Sequence, residues 1–414
     1  MQDLLRWPSR MKVKGSTDEA PSISRDQVAA FRLHRHHLAS RAPASALVQV
    51  AGDMGGAQAQ VLSAAQMSLW TRTRGLRAKD VEKALWHDRT LAKVWCMRGT
   101  VYLVPSKDFA VFVRGVAGRA DRDARWMAKR GRSIDVIERI VKAMEQILDR
   151  PLTRKEVSER LGDSLGTKKR VRLGHGWGHQ AEVDAIEVDG QTMSVGGILG
   201  YACIRGAVLA GPPRGNEGTF VRPDAWLREW RDLAVPDAED ELLRRYLQAH
   251  GPATVTDFAW WTYVTGARAR AIWERHKQDL AAVNVDGSMA WVLREDLPTL
   301  ERAKIKRPNV RLLPFFDSFL LGQKVKEHLV EAKHYRRVYR PQGWLSPVVL
   351  VDGRVGGIWK YERKGDRLSV QVEPLGLLPL EVRDLIVAEV QDLARFFGAG
   401  PPAVDFAAKR GSRP

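Results

Sequence analysis

Apolar residues recur at helical spacing in several separated stretches of the chain. Val28, Phe31 and Leu38 follow Ser24, a helix-capping residue, and Ala46 to about Met54 forms a short second run. Leu62, Ala65, Leu69 and Trp70 continue an apolar stripe. From Leu76 the pattern predicts helix, turn, helix and strand, with helices over 78–85 and 88–97 and a strand over 100–104. The outline returns twice. A long amphipathic helix from Ile134 to Leu148 precedes Pro151-Leu152-Thr153, and another from Glu241 to Ala249 precedes Pro252-Ala253-Thr254. In both, proline and a threonine cap stand before a second short helix, as expected of a repeated unit. Strands are predicted at 207–210 and 219–221, joined by a glycine- and proline-rich tip carrying Arg214. Further on, 348–351, an Asp352-Gly353 turn, 354–360 and 368–372 read as successive strands, closed by a helix from Leu380 to Phe397.

Composition narrows the possibilities. The chain of 414 residues is 44% hydrophobic, enough for several buried cores, and its 67 Lys and Arg against 49 Asp and Glu leave a net charge of +18. Such an excess favours a polyanionic partner, nucleic acid first and a membrane surface second. No apolar run reaches the roughly eighteen residues of a spanning helix, and residues 1 to 17 lack a signal-peptide core, so a cytoplasmic protein is expected. Residues before Ser22 read as a loose leader. Cys96 and Cys203 are solitary and far apart, which argues against a disulfide framework or a thiolate metal site.

The candidate chemistry lies in Gly55-Gly56-Ala57-Gln58-Ala59-Gln60. In a helix the two glutamines would stand about 200° apart, whereas in an extended segment they share a face. The glycines favour the irregular backbone, and a pair of neutral amides can hold one water from both sides. The plainer reading is two polar residues at a helix start. His34, His36 and His37 read as surface or DNA-facing residues, not metal ligands. His175 and His179 flank a glycine-containing loop, and Gly162 to Lys168 departs from a phosphate loop in spacing and order. Most of the fourteen tryptophans are expected in the core.

Four blocks occur together and in order: Gly56-Ala57-Gln58-Ala59-Gln60, Met97 to Val104, Leu313 to Gly322, and Gly343 to Pro347 with Val351 to Val355. In them the chain resembles the AlkZ/YcaQ-type winged-helix DNA glycosylases from about Ser24 to Phe397. The resemblance implies an α+β, predominantly helical fold, with tandem winged helix-turn-helix domains and a C-terminal β-rich domain around a DNA channel. Its expected division is a leader 1–23, three winged-helix units at 24–130, 131–235 and 236–308, a β-hairpin or β-barrel-like domain with closing helix at 309–400, and a tail 401–414. It further implies a monofunctional glycosylase, with no metal or organic cofactor, acting on double-stranded DNA that contains alkylated purines. Bulky adducts and interstrand cross-links are among the family's substrates.

Gln58 and Gln60 inherit the catalytic assignment of the Gln-x-Gln branch; the other branch carries Gln-x-Asp. Asp317, within a matching block, is a candidate support for the site or a helix cap. Candidate DNA contacts are Arg98 and Thr100 between two elements, Arg214 on the wing tip, Lys324 and Lys326, and Arg354 at the Asp-Gly turn as a minor-groove probe. Each also has a plain surface or linking role as its alternative. Monomer is the default state. A non-enzymatic winged-helix regulator or damaged-DNA binder fits the charge and the repeats equally, and the glutamine pair separates the two readings.

Overall fold

A computed structural model describes residues 20–129, 131–174 and 180–407. The fold is mixed α+β, and among the described residues no helix is long and apolar enough to cross a membrane. The chain runs three times through helix, short strand, helix, helix and hairpin. In the first run these are Leu47–Asp53, Ala57–Gln58, Leu62–Trp70, Ala78–Glu82 prolonged through His87, and the strands Leu91–Trp95 and Val101–Pro105. In the second they are Ile134–Ile147, Leu152–Thr153, Arg154–Leu165, Val195–Ile204, and Leu209–Arg214 with Glu217–Val221. The third has Val235–His250, a single bridge at Ala253, Val255–Thr262, Gly266–Arg275, and Leu280–Val285 with Ser288–Leu293.

Each short strand pairs antiparallel with the second strand of its hairpin. Gln58 lies opposite Tyr102, Leu152 opposite Phe220, and Ala253 opposite Trp291. The threonine caps form as the sequence pattern implies: Thr153 and Thr254 accept from the amides of Glu156 and Asp257, whose carboxylates accept from the cap amides in return. Between the two short helices of the second run, an antiparallel insertion of Thr167–Gly174, Gln180–Val188 and Gln191–Ser194 departs from the pattern. The expected loop at His175 to His179 lies outside the described residues. Gly162 to Lys168 is a helix end passing into a strand.

The first two hairpins share one six-stranded sheet, joined where Ala210 pairs with Lys93. The segment 88–97, expected to be helical, is instead largely the strand Leu91–Trp95, turned by Arg98 and Gly99 at φ 55° and 66°. The reason is burial on both faces. Leu91, Val101 and Leu103 join one apolar cluster while Ala92, Val94, Tyr102 and Val104 join another, so no polar face marks the two-residue period.

The first helix, Arg25–Arg35, begins at Ser24 with a capping box to Gln27 but docks on the third run, distant in sequence. Ser22 and Ile23 pair in parallel with Asn284 and Val285. Arg32 donates to the carbonyls of Gly251 and Pro252, at 3.2 and 2.8 Å.

At the C-terminal end, five strands follow the order Val310–Leu313, Val348–Val351, Arg354–Lys364, Arg367–Pro374, Ala403–Phe406, with the helix Leu380–Phe397 packed beside the first. The two edge strands are not paired with each other, so the sheet is open where a barrel-like part is expected. The Asp-Gly turn forms with φ 50° and 83°, but Gly353 is buried against Ala29 and Leu33 of the first helix. Arg354, the expected minor-groove contact at this turn, has its side chain exposed.

One buried ion pair joins this sheet to the first run. Arg72 donates to both oxygens of Asp317, at 2.7 and 2.8 Å, both side chains having no exposure, and Ser68 Oγ donates to Oδ2 at 2.7 Å. The same carboxylate caps Ser318–Leu321 through the Phe319 amide. Breaking such a pair strands a buried charge. We expect Arg72→Met to lower the urea-unfolding free energy by about 3–5 kcal/mol, and Arg72→Met with Asp317→Leu to recover a large part of that loss.

Candidate functional site

Gly55 and Gly56 bend the chain out of Leu47–Asp53 with φ of 72° and 88°, values open to glycine and costly to other residues. Space imposes a second demand. A Cβ at position 55 would lie 3.1 Å from Trp261, and one at 56 would lie 3.2 Å from Tyr102 and Val104. The chain then extends. Ala57 and Gln58 pair with Leu103 and Tyr102, and the Ala59 amide donates to Val101 O at 2.6 Å.

Ala57 and Ala59 enter the same apolar cluster as Val101 and Leu103, which sends the intervening glutamine to the opposite face. Gln58 thus lies on the face of Tyr102, toward the third run's Val255–Thr262 helix, where Trp261 covers Gly55, and Gln60 follows in the bend after the strand. Gln58 is 5% exposed and accepts from the Tyr102 hydroxyl at a long 3.4 Å, while Gln60 is exposed. Among the described residues neither side-chain nitrogen has a protein partner, leaving both amides donors to spare. Burial pushes the Tyr102 phenol up from its usual range, so it stays a neutral donor.

Beneath the glycines lies a tightly packed aromatic and cationic layer. His250 stands 5.0 Å from His36, 5.4 Å from Tyr246 and 5.7 Å from Trp261 between ring centroids. Ser318 Oγ donates to Gly56 O at 2.6 Å, so the residue after Asp317 holds the glutamine segment directly. Asp317 itself faces Arg72 and Ser68. Burial, reinforced by neighbouring cations, drives His36 and His250 well below the usual histidine range and His328 to about 2.

The remaining candidates are scattered. Arg98 and Thr100 sit in the hairpin turn beyond Val101, next to the glutamine pair, with Arg98 stacked 5.1 Å over Trp260. Arg214 is exposed at the second hairpin's tip, where its guanidinium pairs with Glu156. Lys324 is exposed, its backbone amide held by Asp257 at 2.8 Å. Lys326 requires a correction: only 4% exposed, its ammonium donates to the Leu320 and Gln323 carbonyls, and burial lowers it to about 7. A group so enclosed does not present a surface phosphate contact. Of the three histidines read as surface residues, His34 and His37 bond to Lys304 O and Asp53, but His36 is fully buried. Tyr102 and Ser318 lie inside blocks that the sequence marks, whereas nothing in the pattern marks His250 or Trp261.

The family model described as "DNA glycosylase AlkZ-like" matches residues 51–396. The chain belongs to the AlkZ-like DNA glycosylase family. A relative from Streptomyces sahachiroi, named "Interstrand DNA cross-link repair glycosylase", is 32% identical over 343 residues, spanning 81% of this chain and 87% of its own. The solved structure titled "Streptomyces sahachiroi DNA glycosylase AlkZ" superposes with a TM-score of 0.76 at 27% identity, covering 93% of this chain and all of that one. This chain is accordingly an enzyme, a DNA glycosylase of alkylation repair, and the non-enzymatic DNA binder is not favoured.

The buried histidines give the glycosylase a measurable acid sensitivity. Their folded pKa values lie below the unfolded value near 6.5, so the unfolded chain binds more protons, and stability is present above about pH 6.5 and lost as pH falls below it. We expect the melting temperature to drop between pH 7 and 5, above the range where most carboxylates titrate, and His250→Asn to flatten that slope.

Proposed function

We propose that this glycosylase hydrolyses the N-glycosidic bond of cationic alkylated purines, with Gln58 and Gln60 positioning the attacking water. The observation that carries this reading is an amide on a short edge strand, Gln58, with a second, Gln60, in the bend just after it, each with unused donors. Alkylation at N7 of guanine or N3 of adenine gives the base a formal positive charge, so it departs neutral without an acid. What remains is to place water against the anomeric carbon as positive charge develops on the sugar. Neutral amides suit that task and leave the departing base unprotonated. Tyr102 orients Gln58 by donating to Oε1, which leaves the amide nitrogen free to bind water.

The thrice-repeated order of helix, short strand, two helices and hairpin supports reading the first three runs as winged helices, with the glutamines in the short strand of the first. In this reading the open five-stranded sheet completes the DNA-binding surface, and Arg98, Thr100, Lys324, Arg354 and Arg214 contact phosphates, Arg214 by exchanging Glu156 for DNA. Bulky N7 adducts, and the interstrand cross-links in the relative's name, are the substrates we assign. The enzyme acts as a monomer.

We expect Gln58→Ala and Gln60→Ala each to slow single-turnover release of 7-methylguanine from duplex DNA by at least about tenfold, ~1.4 kcal/mol of barrier. The chemical step should vary little between about pH 6 and 8, because neither amide titrates. Wild-type release by both variants would remove the pair from the mechanism.

A further inference from the structure

At the turn of the first hairpin, several cationic and aromatic side chains meet with few acceptors between them. Antiparallel pairing of Ala57 with Leu103 and Gln58 with Tyr102 carries Gln60 toward Thr100, at the mouth of the Arg98-Gly99 turn. Arg98 lies over Trp260, with 5.1 Å from its guanidinium carbon to the ring centroid. Arg119 and Arg122, one helical turn apart on Ala117–Ala128, both face Tyr263, at 5.5 and 4.8 Å. Tyr263 closes the Val255–Thr262 helix in the left-handed region, φ 68°, an unusual conformation for a bulky residue, and the residue is 44% exposed. Arg119 in turn rests on Gly99, where a Cβ would fall 2.0 Å from its guanidinium.

Donors outnumber acceptors here. Arg98 Nε, Arg119 Nε and Nη1, Thr100 Oγ1 and Trp260 Nε1 are buried with no hydrogen-bond partner. Asp123 is the carboxylate within reach of both helix arginines, at 3.5 and 3.8 Å. Arg122 also donates to the Tyr263 carbonyl at 3.1 Å. Guanidinium planes resting on aromatic faces are oriented before any ligand arrives, and a planar fork matches the two free oxygens of a phosphodiester.

We propose that Arg119 and Arg122, stacked on Tyr263, together with Arg98 on Trp260, form a phosphodiester clamp that fixes the damaged strand beside the glutamine pair. The proposal rests on the assignment of Gln58 and Gln60 as the water-positioning residues. The clamp sets the register of the strand, so that the anomeric carbon, not a neighbouring one, meets the held water. These side chains are positioning residues and touch no reacting atom.

The test measures affinity against salt concentration, using a duplex with one 7-methylguanine on a 2′-fluorinated sugar that resists hydrolysis. Arg119→Ala and Arg122→Ala should each lower the slope of log affinity against log salt by about one. Arg119→Lys should keep the slope yet bind more weakly, because it retains the charge and loses the fork. Tyr263→Leu, which keeps both charges, should also weaken binding, and Gly99→Ala should reproduce Arg119→Ala by displacing its guanidinium. Unchanged slopes in both arginine-to-alanine variants, with wild-type melting temperatures, overturn the clamp even if Gln58→Ala stops base release. Conversely, lost slope with wild-type release by Gln58→Ala and Gln60→Ala keeps the clamp as a DNA contact and removes the catalytic assignment beside it.

Discussion

The arrangement depends on a few backbone hydrogen bonds at the edge of a sheet. Pairing of Ala57–Gln58 with the Val101–Pro105 strand, continued by the Ala59 amide on Val101, leaves the alanines in one core and turns Gln58 to the opposite face, beside Tyr102. A shift of one residue would exchange the two sets and bury Gln60 among leucine and valine. The register is held from three sides: two glycines take positive φ where a Cβ would crowd its neighbours, Trp261 closes over Gly55, and Ser318 grips the Gly56 carbonyl. Two amides acting on one water require such fixity, since positioning is most of what they offer.

The electrostatic setting divides by depth. Beneath the strand, Arg72 is neutralised by Asp317, and the histidines remain uncharged because burial beside Arg32, Arg72 and Lys326 makes protonation costly. At the hairpin turn, Arg98 and the neighbouring Arg119 keep buried donors without acceptors. Charge beneath the strand serves cohesion, whereas the arginines at the turn are the ones we propose for the phosphodiester. The net +18 is therefore not uniform in its use.

Much of this was legible in the residues, for identifiable reasons. Threonine caps and prolines mark the repeated helix starts, and the Asp352-Gly353 turn after an apolar run marks the C-terminal hairpin. The paired glycines and the two-residue glutamine spacing pointed to an extended segment, which is the conformation found. Leu91–Trp95 was misread because apolar packing on both faces erases the alternation that marks a strand. Lys326 was misread because a lysine's sequence context does not reveal two inward-facing carbonyls. Gly353 showed its turn but not its burial, which comes from a helix more than three hundred positions earlier. Likewise the stack of Trp260, Tyr263 and arginines from two other segments exists only once the first and third runs meet.

That long-range docking of the opening helix has a consequence for biogenesis. Arg25–Arg35 leaves the ribosome early, yet Phe31 and Val28 find their partners Val283, Val292 and Leu300 only after most of the chain has been made. Until then an apolar helix face stays in water, and contacts of such sequence separation form slowly. The opening helix thus completes its packing only when the third run has formed.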